Sequence, residues 1–323
     1  MTIKKIVLAF LLNFIFISSS YSQQYSAIDS IVLKYPDFGS TEKLAERIKN
    51  DFTTEHDKAR AIYSWIALNL EYDLDTFLDP PKPKEISSSD SDAAKQIQLQ
   101  NAKTAQKAFR SRKAVCEGFA QLYEHLALLS GLKCQVIHGD AKVELTDIGR
   151  RNYILNHAWN SVQVDGKWVL VDATWGQGSY DYRRKVLIKK FTPIYFDMDP
   201  KYFNAKHYAE SAMYKGNTGN KAAFLNGPLI YNDFIEENCE VLMPFSGVVS
   251  ANEGDKINFK LKNLSKIDDL YYLDKKDEKI KVENSKVEDG IMEFQVTYAR
   301  KLGRFITFYL NGKSFAAFKV IPK

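Results

Sequence analysis

The strongest constraint on the fold comes from two alternating segments, residues 157–164 and 167–173, which are separated only by Asp165-Gly166. An Asp-Gly pair between two such runs is typical of a two-residue β-hairpin turn. The length of the turn fixes the pairing, because a shift of one residue would move every side chain of a strand to the opposite face. We therefore expect an antiparallel hairpin with a single register.

In that register His157 faces Thr174, and Trp159 faces Asp172. His157 and Asp172 are then diagonal neighbours on one face, about 7–8 Å apart between their backbones, which is within reach of a side-chain contact. This arrangement lets a carboxylate orient an imidazole. The same face also carries Trp168 and Leu170. The opposite face, which we expect to be buried as well, carries Val162, Val164, Val169 and Val171.

Cys116 is the predicted first residue of a helix. The helix has one apolar face and is followed by Gly131, a typical helix-ending residue; the face consists of Phe119, Leu122, Leu126 and Leu129. A helix N-terminus carries about half a positive charge, which favours the nucleophilic thiolate over the thiol. Its N–H groups can also hold an oxyanion. Because a thiolate needs a base, and the base an orienting group, we infer a Cys116, His157 and Asp172 triad.

Three segments resemble, in the same order, the nucleophile, histidine and aspartate motifs of the transglutaminase-like superfamily: residues 112–120, 156–160 and 171–175. Residues 59–73 are similar to the region that precedes the core in bacterial members, and residues 195–200 resemble the segment that closes the domain. The resemblance covers about residues 57–207. It is greatest to exported bacterial relatives of the kyphoscoliosis-peptidase branch, which often add a β domain.

The resemblance implies an α+β fold with a papain/transglutaminase-like core, in which a helix-borne cysteine packs on an antiparallel sheet. It implies acyl transfer at Cys116, assisted by His157 and Asp172, as in cysteine peptidases, deamidases and transglutaminases. Two positions depart from the family pattern: Ala114 replaces a common Gly, and Glu117 replaces the Trp of calcium-dependent animal transglutaminases. No acidic cluster suggests calcium sites, so we expect no metal and no cofactor.

Several side chains near the motifs have two interpretations. Tyr72, Trp159 and Trp175 either pack or contact the substrate, and Tyr72 could also donate a hydrogen bond to the oxyanion. His138 and Asp140 form a competing pair, but they lie on one strand without support from a second.

The other two cysteines, Cys134 and Cys239, are expected to be inert thiols in the core; a disulfide between them is the alternative in an oxidising compartment.

The first 22 residues are predicted to be a secretory signal peptide. Lys4 and Lys5 precede an apolar run at residues 6–17, and Ser20-Tyr21-Ser22 is a small-x-small cleavage site. A membrane anchor is the alternative, although the run is shorter than the ~20 residues that span a bilayer. We therefore expect an exported protein of the periplasm, cell surface or medium, with no membrane span in the mature chain. The net charge of +5 is too small to indicate a nucleic-acid partner.

The remaining pattern predicts a catalytic domain at residues 23–215, a linker at 216–226 and a small β-sandwich domain at 227–323. Helices are expected at residues 41–52, from Thr54 to about 70, and at 93–109, with a surface loop at 79–92 and a short strand at 133–138. In the last part, short strands are expected at 258–261, 290–297 and 304–310.

Two functions from different classes follow. The first is an exported thiol-dependent acyl-transfer enzyme that acts on protein or peptide amides. The alternative is a non-catalytic envelope binding or scaffold protein that reuses the fold, with the β domain as the surface for a protein partner.

Overall fold

A computed structural model describes residues 27–80, 90–181, 186–210, 214, 219–264 and 270–323. The predicted signal peptide at residues 1–22 lies outside the described residues, as do most of the expected loop and the first residues of the expected linker. In the part of the chain that is described, no helix is both long enough and apolar enough to cross a membrane.

The helices lie mostly in the first two thirds of the chain. They are α1 (Thr41–Asp51), α2 (Glu55–Asn69), α3 (Leu74–Leu78), α4 (Asp90–Ser111), α5 (Cys116–Leu129), α6 (Ala173–Gly176), α7 (Pro200–Lys206), α8 (Lys221–Asn226) and α9 (Asn232–Glu236). The predicted start of α2 is confirmed, because the Thr54 side chain accepts a hydrogen bond from the Asp57 N–H at 3.0 Å. Gly131, at φ +82°, follows α5 as expected.

The strands of the first two thirds are β1 (Glu71–Tyr72), β2 (Lys113–Ala114), β3 (Cys134–Ala141), β4 (His157–Val164), β5 (Lys167–Val171), β6 (Gly178–Asp181), β7 (Val186–Lys189) and β8 (His207–Tyr208). Four of them form a sheet in the order β5-β4-β3-β8. The strand expected at residues 133–138 is therefore longer than predicted, because β3 continues to Ala141 and pairs there with β8.

The strands of the last third are β9 (Leu229–Ile230), β10 (Glu240–Met243), β11 (Val248–Ser250), β12 (Lys256–Lys262), β13 (Leu270–Leu273), β14 (Lys279–Lys281), β15 (Glu283–Glu288), β16 (Ile291–Thr297), β17 (Phe305–Leu310) and β18 (Lys313–Ile321). One sheet has the order β10-β12-β16-β15, and a second has the order β11-β18-β17-β13-β14, with β9 added on β18. The strands predicted in this region are confirmed, with ends displaced by a few residues.

The predicted hairpin register is confirmed over five pairs, from Asn160 opposite Val171 to Val164 opposite Lys167. Asp165 and Gly166 have φ values of +48° and +80°, the backbone that a type I′ turn requires. The prediction that the second strand reaches residue 173 is wrong. The ladder ends at Val171, because Asp172 caps the short helix α6 instead of continuing the strand.

The chain divides into two compact units. The first comprises the residues up to Ile137 together with Ala158–Asp197, and the second comprises His138–His157 together with Met198–Lys323. In the first unit the buried Arg60 guanidinium binds the Asp29 carboxylate through two hydrogen bonds, at 3.1 and 2.8 Å, and so ties residues 27–32, which are helical, to α2.

The second unit contains an aromatic core between its two larger sheets. Phe259 of β12 stacks on Phe294 of β16, with ring centroids 5.2 Å apart. From the other sheet, Phe308 and Phe318 approach Phe259 edge-on, at 4.8 and 5.0 Å. All four rings are buried. The sheet-rich C-terminal region is thus present as the sequence predicts, and its core is made by inward-facing residues of alternating strands.

Candidate active site

Cys116 is the first residue of α5 and is a partly buried, free thiol. The residue before it, Val115, is extended and has no side chain that could cap the helix. Backbone N–H groups of Gly118 and Phe119 bond to the Val115 carbonyl, at 2.8 and 3.3 Å. The positive end of the helix therefore lies at the cysteine. The acidic Glu117 is also in this first turn, where its Oε1 accepts from the Gln121 Nε2 at 2.9 Å.

The first turn of α5 is packed tightly against β2. A Cβ built on Gly118 would lie 2.6 Å from the Cβ of Ala114, so only glycine fits at this position. Ala114 is the residue that replaces the common family Gly, and it is accommodated because Gly118 faces it. Ala114 and Gly118 lie two residues before and two residues after Cys116. Their close contact thus fixes how the chain enters the helix.

Tyr72 lies beside this entry. It pairs in register with Ala114 in the parallel β1–β2 pair, and the next N–H, of Asp73, donates to the Ala114 carbonyl at 2.8 Å. Its ring is tilted against Phe119 at 6.5 Å and against Phe77 at 5.8 Å. Tyr72 therefore packs on the helix that begins with Cys116, and it is only partly buried.

A buried amide ties the cysteine helix to the histidine strand. Asn160 of β4 is 1% exposed, and its Nδ2 donates to the carbonyl of Ala120, one helical turn after Cys116, at 3.0 Å. A buried side-chain amide without a partner costs about 1–3 kcal/mol, so this bond holds α5 at a defined position on β4. His157 is the first residue of the same strand.

Asp172 is fully buried immediately after β5. Its N–H donates to the Tyr195 carbonyl at 2.9 Å, and its Oδ1 accepts from the Trp175 N–H at 3.0 Å, which caps α6. The Trp175 ring meets the Tyr195 ring edge-on at 5.3 Å. A carboxylate has two oxygens and about four acceptor positions, so the cap leaves capacity for a further partner.

His157 lies beside a second histidine. One ring nitrogen of His157 and one of His207 lie within 4.8 Å of each other.

His207 is the member of this pair that sequence reasoning missed. It is 1% exposed, and its ring stacks on Phe203 with centroids 4.1 Å apart. Its centroid lies 5.6 Å from that of His157. The sequence carries no motif at this position: a single histidine follows a short helix. Only the pairing of β8 with β3, which is remote in sequence, indicates where it lies.

The remaining candidate residues have structural partners. Trp159 is buried, with 3% exposure, which favours packing. Asp140 of the competing pair is fully buried, binds Arg150 and accepts from the Ile154 N–H at 2.9 Å. Burial raises the pKa of the Asp140 carboxyl above its ordinary value, and the hydrogen bonds from Ile154 and Arg150 oppose that rise.

The other two cysteines are also free thiols. Burial raises the pKa of Cys134 well above its ordinary value and that of Cys239 to about 12. At neutral pH both are therefore protonated and weakly nucleophilic.

Known proteins match part of the chain. The family model of the transglutaminase-like superfamily matches residues 42–173, a range that contains Cys116, His157 and Asp172. The kyphoscoliosis peptidase of Homo sapiens is 26% identical over 190 residues, which are 58% of this chain and 26% of the human protein. That of Mus musculus is 26% identical over 170 residues, 52% of this chain and 23% of the mouse protein. The chain thus matches about a quarter of the length of these relatives.

Two solved structures are also similar in part. A crystal structure of a TGase is 18% identical, with a TM-score of 0.31, over 55% of this chain and 44% of the other. The periplasmic domain of TgpA from Pseudomonas aeruginosa is 18% identical, with a TM-score of 0.28, over 46% of this chain and 48% of the other.

Proposed function

Because residues 42–173 match the family model of the transglutaminase-like superfamily, we propose that this chain is a thiol-dependent acyl-transfer enzyme that acts on protein or peptide amides. The observation that carries the proposal is that the matched range contains Cys116, as the first residue of α5, together with His157 and Asp172.

In the proposed reaction the Cys116 sulfur attacks the carbonyl carbon of an amide, and His157 accepts the thiol proton. N–H groups at the start of α5 stabilise the oxyanion. His157 returns the proton to the departing amine as the C–N bond breaks, which leaves an acyl thioester on Cys116. Water then releases an acid, as in a peptidase or deamidase, or an amine forms a new amide, as in a transglutaminase. Asp172 orients the His157 ring.

Tyr72 is the side chain we propose to line the substrate site. Its backbone pairs with Ala114, which lies two residues before Cys116, and its ring is partly exposed. Trp175 is a second, weaker candidate, and the buried Trp159 acts through packing. We further propose, from the pattern of residues 1–22, that the protein is exported and that its substrate is an envelope or extracellular protein. The C-terminal sheets would then offer a surface to a protein partner.

The test is an assay on casein, an unfolded protein that offers peptide bonds, glutamine and lysine. Peptide release, ammonia release and incorporation of a fluorescent primary amine report hydrolysis, deamidation and transamidation separately. Cys116→Ala and His157→Ala should abolish the activity, and Asp172→Asn should retain a small fraction, since a general base contributes about 10²–10⁴-fold.

Asp172→Asn is informative because asparagine caps a helix as well as aspartate does, so the α6 cap survives while the charge is lost. The matched control is Asp199→Asn. Asp199 caps α7 by accepting a hydrogen bond from the Lys201 N–H at 2.9 Å, and the variant should keep full activity. Full activity of Cys116→Ala would disprove the mechanism. A folded wild-type protein that is inactive in all three assays and has an unreactive Cys116 would support the scaffold alternative.

A further inference from the structure

The contacts of His207 determine which of its ring nitrogens carries a lone pair. Its Nδ1 lies 3.3 Å from the carbonyl oxygen of Phe203. A carbonyl only accepts hydrogen bonds, so this contact requires the hydrogen on Nδ1. In the neutral ring Nε2 is then the acceptor. Stacking on Phe203 and burial to 1% exposure hold the ring in this orientation.

This is the arrangement found around metal-binding histidines. Such a histidine nearly always donates its second ring N–H to a carboxylate or a backbone carbonyl, which fixes the tautomer and the direction of the ligating nitrogen. The Phe203 carbonyl supplies that partner for His207. The observation is independent of the clustering of His207 with other side chains.

The second imidazole is close by. The centroids of the His157 and His207 rings are 5.6 Å apart and the ring planes are inclined by 32°. One nitrogen from each ring lies within 4.8 Å of the other. Two imidazole nitrogens form a donor pair that suits Zn²⁺ and the neighbouring divalent transition metals, with water completing the coordination.

We propose that His157 and His207 bind a divalent transition-metal ion, with Zn²⁺ as the favoured ion, and that the bound metal switches off the thiol chemistry. In a filled tetrahedral site the metal–nitrogen bonds are about 2.0–2.1 Å long, so binding draws the two rings closer together. A neutral imidazole has only one nitrogen lone pair, so a metal bound to either nitrogen of His157 leaves none to accept the Cys116 proton. The switching step rests on the proposed function, whereas metal binding does not.

The binding experiment uses the whole protein, stripped with a chelator and titrated with Co²⁺, whose visible absorption reports coordination. Zn²⁺ is then added to displace the Co²⁺. We expect one ion per chain, and at least a tenfold loss of affinity in His207→Gln and in His157→Gln. His125→Gln is the matched control, because His125 is partly buried but its Nε2 contacts the Thr41 hydroxyl at 3.1 Å instead of a second imidazole. Its affinity should stay within twofold of wild type.

X-ray absorption of the wild-type Zn²⁺ complex keeps the proposal testable if the glutamine variants fail to fold. Two imidazole donors with only nitrogen and oxygen around the metal are expected, and Cys116→Ala should bind as wild type does. Three results would overturn the site: no binding at 100 µM metal, unchanged affinity in a folded His207→Gln, or a sulfur donor in the wild-type complex.

The switching step is tested by acylation of Cys116 with an activated ester, p-nitrophenyl acetate, with and without one equivalent of Zn²⁺. Loss of acylation with Zn²⁺ in wild type, but not in His207→Gln, supports it. Metal binding with undiminished acylation would refute the switching step but would leave the metal site intact. A metal-free protein that is not acylated would instead refute the proposed function, and the binding result would remain valid.

Discussion

The Asp172 side chain illustrates how much a single residue determines at this site. Its N–H donates to the Tyr195 carbonyl, and its Oδ1 caps α6. The capping interaction explains why β5 ends at Val171, and so why the predicted strand was too long. A sequence pattern shows that a carboxylate follows the strand, but not that it caps the next helix.

The first prediction at this scale concerns the three cysteines. With iodoacetamide at pH 7, Cys116 should be alkylated at least tenfold faster than Cys134 or Cys239, because burial raises the pKa of both other thiols and keeps them protonated. Peptide mapping by mass spectrometry at several times gives the three rates. Equal rates at the three positions would contradict the assignment of Cys116 as the nucleophile.

The second prediction concerns Lys142, whose ammonium is 1% exposed and donates to the Gly227 carbonyl at 2.7 Å. Burial lowers its pKa from 10.5 to about 7; Arg150 and Lys206 also lower it, whereas Asp147 and Asp140 oppose the shift. Between about pH 7 and pH 10.5, Lys142 is therefore protonated in the unfolded chain but deprotonated in the folded protein. The contribution of Lys142 to stability therefore rises with pH over this window and is lost as pH falls through it.

Urea unfolding of wild type and Lys142→Met between pH 7.5 and 9.5 measures this effect. The free energy of unfolding of wild type should increase relative to the variant by up to about 1.4 kcal/mol per pH unit. A difference that does not change with pH would show that Lys142 stays protonated in the folded protein.

Residue-level prediction from the sequence succeeded where the signal was local. The Thr54 cap and the helix start at Cys116 depend on residues within one turn of each other. His207 was missed because its place depends on β8 pairing with β3, and a lone histidine carries no local sign of such a pairing.

Among the elements, the hairpin and α5 position the site together. The five confirmed pairs of β4 and β5 follow from the turn, whose two residues both adopt positive φ. The Asn160–Ala120 bond connects β4 with α5. The register was predictable because it depends on one turn, whereas the packing of α5 on β4 depends on a single buried amide that no periodicity reveals.

The prediction at the scale of elements is a substitution in the first turn of α5. Alanine is intrinsically better than glycine in a helix by up to about 1 kcal/mol. In Gly118→Ala, however, the new methyl group would meet the Ala114 Cβ at 2.6 Å. We expect a net loss of about 1–3 kcal/mol in the free energy of unfolding, together with slower alkylation of Cys116, because β2 and α5 must separate.

The control for this prediction is Gly39→Ala, since nothing lies within 4 Å of a Cβ at Gly39. Thermal unfolding and alkylation rates of both variants provide the comparison. A Gly118→Ala protein as stable and as reactive as wild type would mean that α5 and β2 are not tightly packed.

For the whole molecule, the boundary expected between residues 226 and 227 stays a prediction. Within the second unit, Ile148 packs on Leu229 and Ala317. The Lys206 ammonium donates to the Ile230 carbonyl at 2.9 Å, as the Lys142 ammonium does to that of Gly227. Residues of the predicted catalytic domain thus find partners beyond the predicted boundary. Composition and turn signals marked the change to short strands, but they could not show these contacts.

The prediction at this scale is the outcome of deleting residues 227–323. Two buried lysines lose their carbonyl partners and Ile148 becomes exposed, so the remaining chain should melt well below the full-length protein or aggregate. Calorimetry and gel filtration make the comparison. A truncated protein with an unchanged melting temperature would establish residues 23–226 as an independent domain.

The central claim is that Cys116 becomes acylated with the help of His157. Its most direct test is the reaction with p-nitrophenyl acetate, quenched in acid and analysed by intact mass and peptide mapping, because this ester requires no knowledge of the natural substrate. We expect one acetyl group per chain, on Cys116, formed about 100-fold or more faster than in His157→Gln. Acetyl groups spread over all three cysteines, or an equal rate in folded His157→Gln, would contradict it.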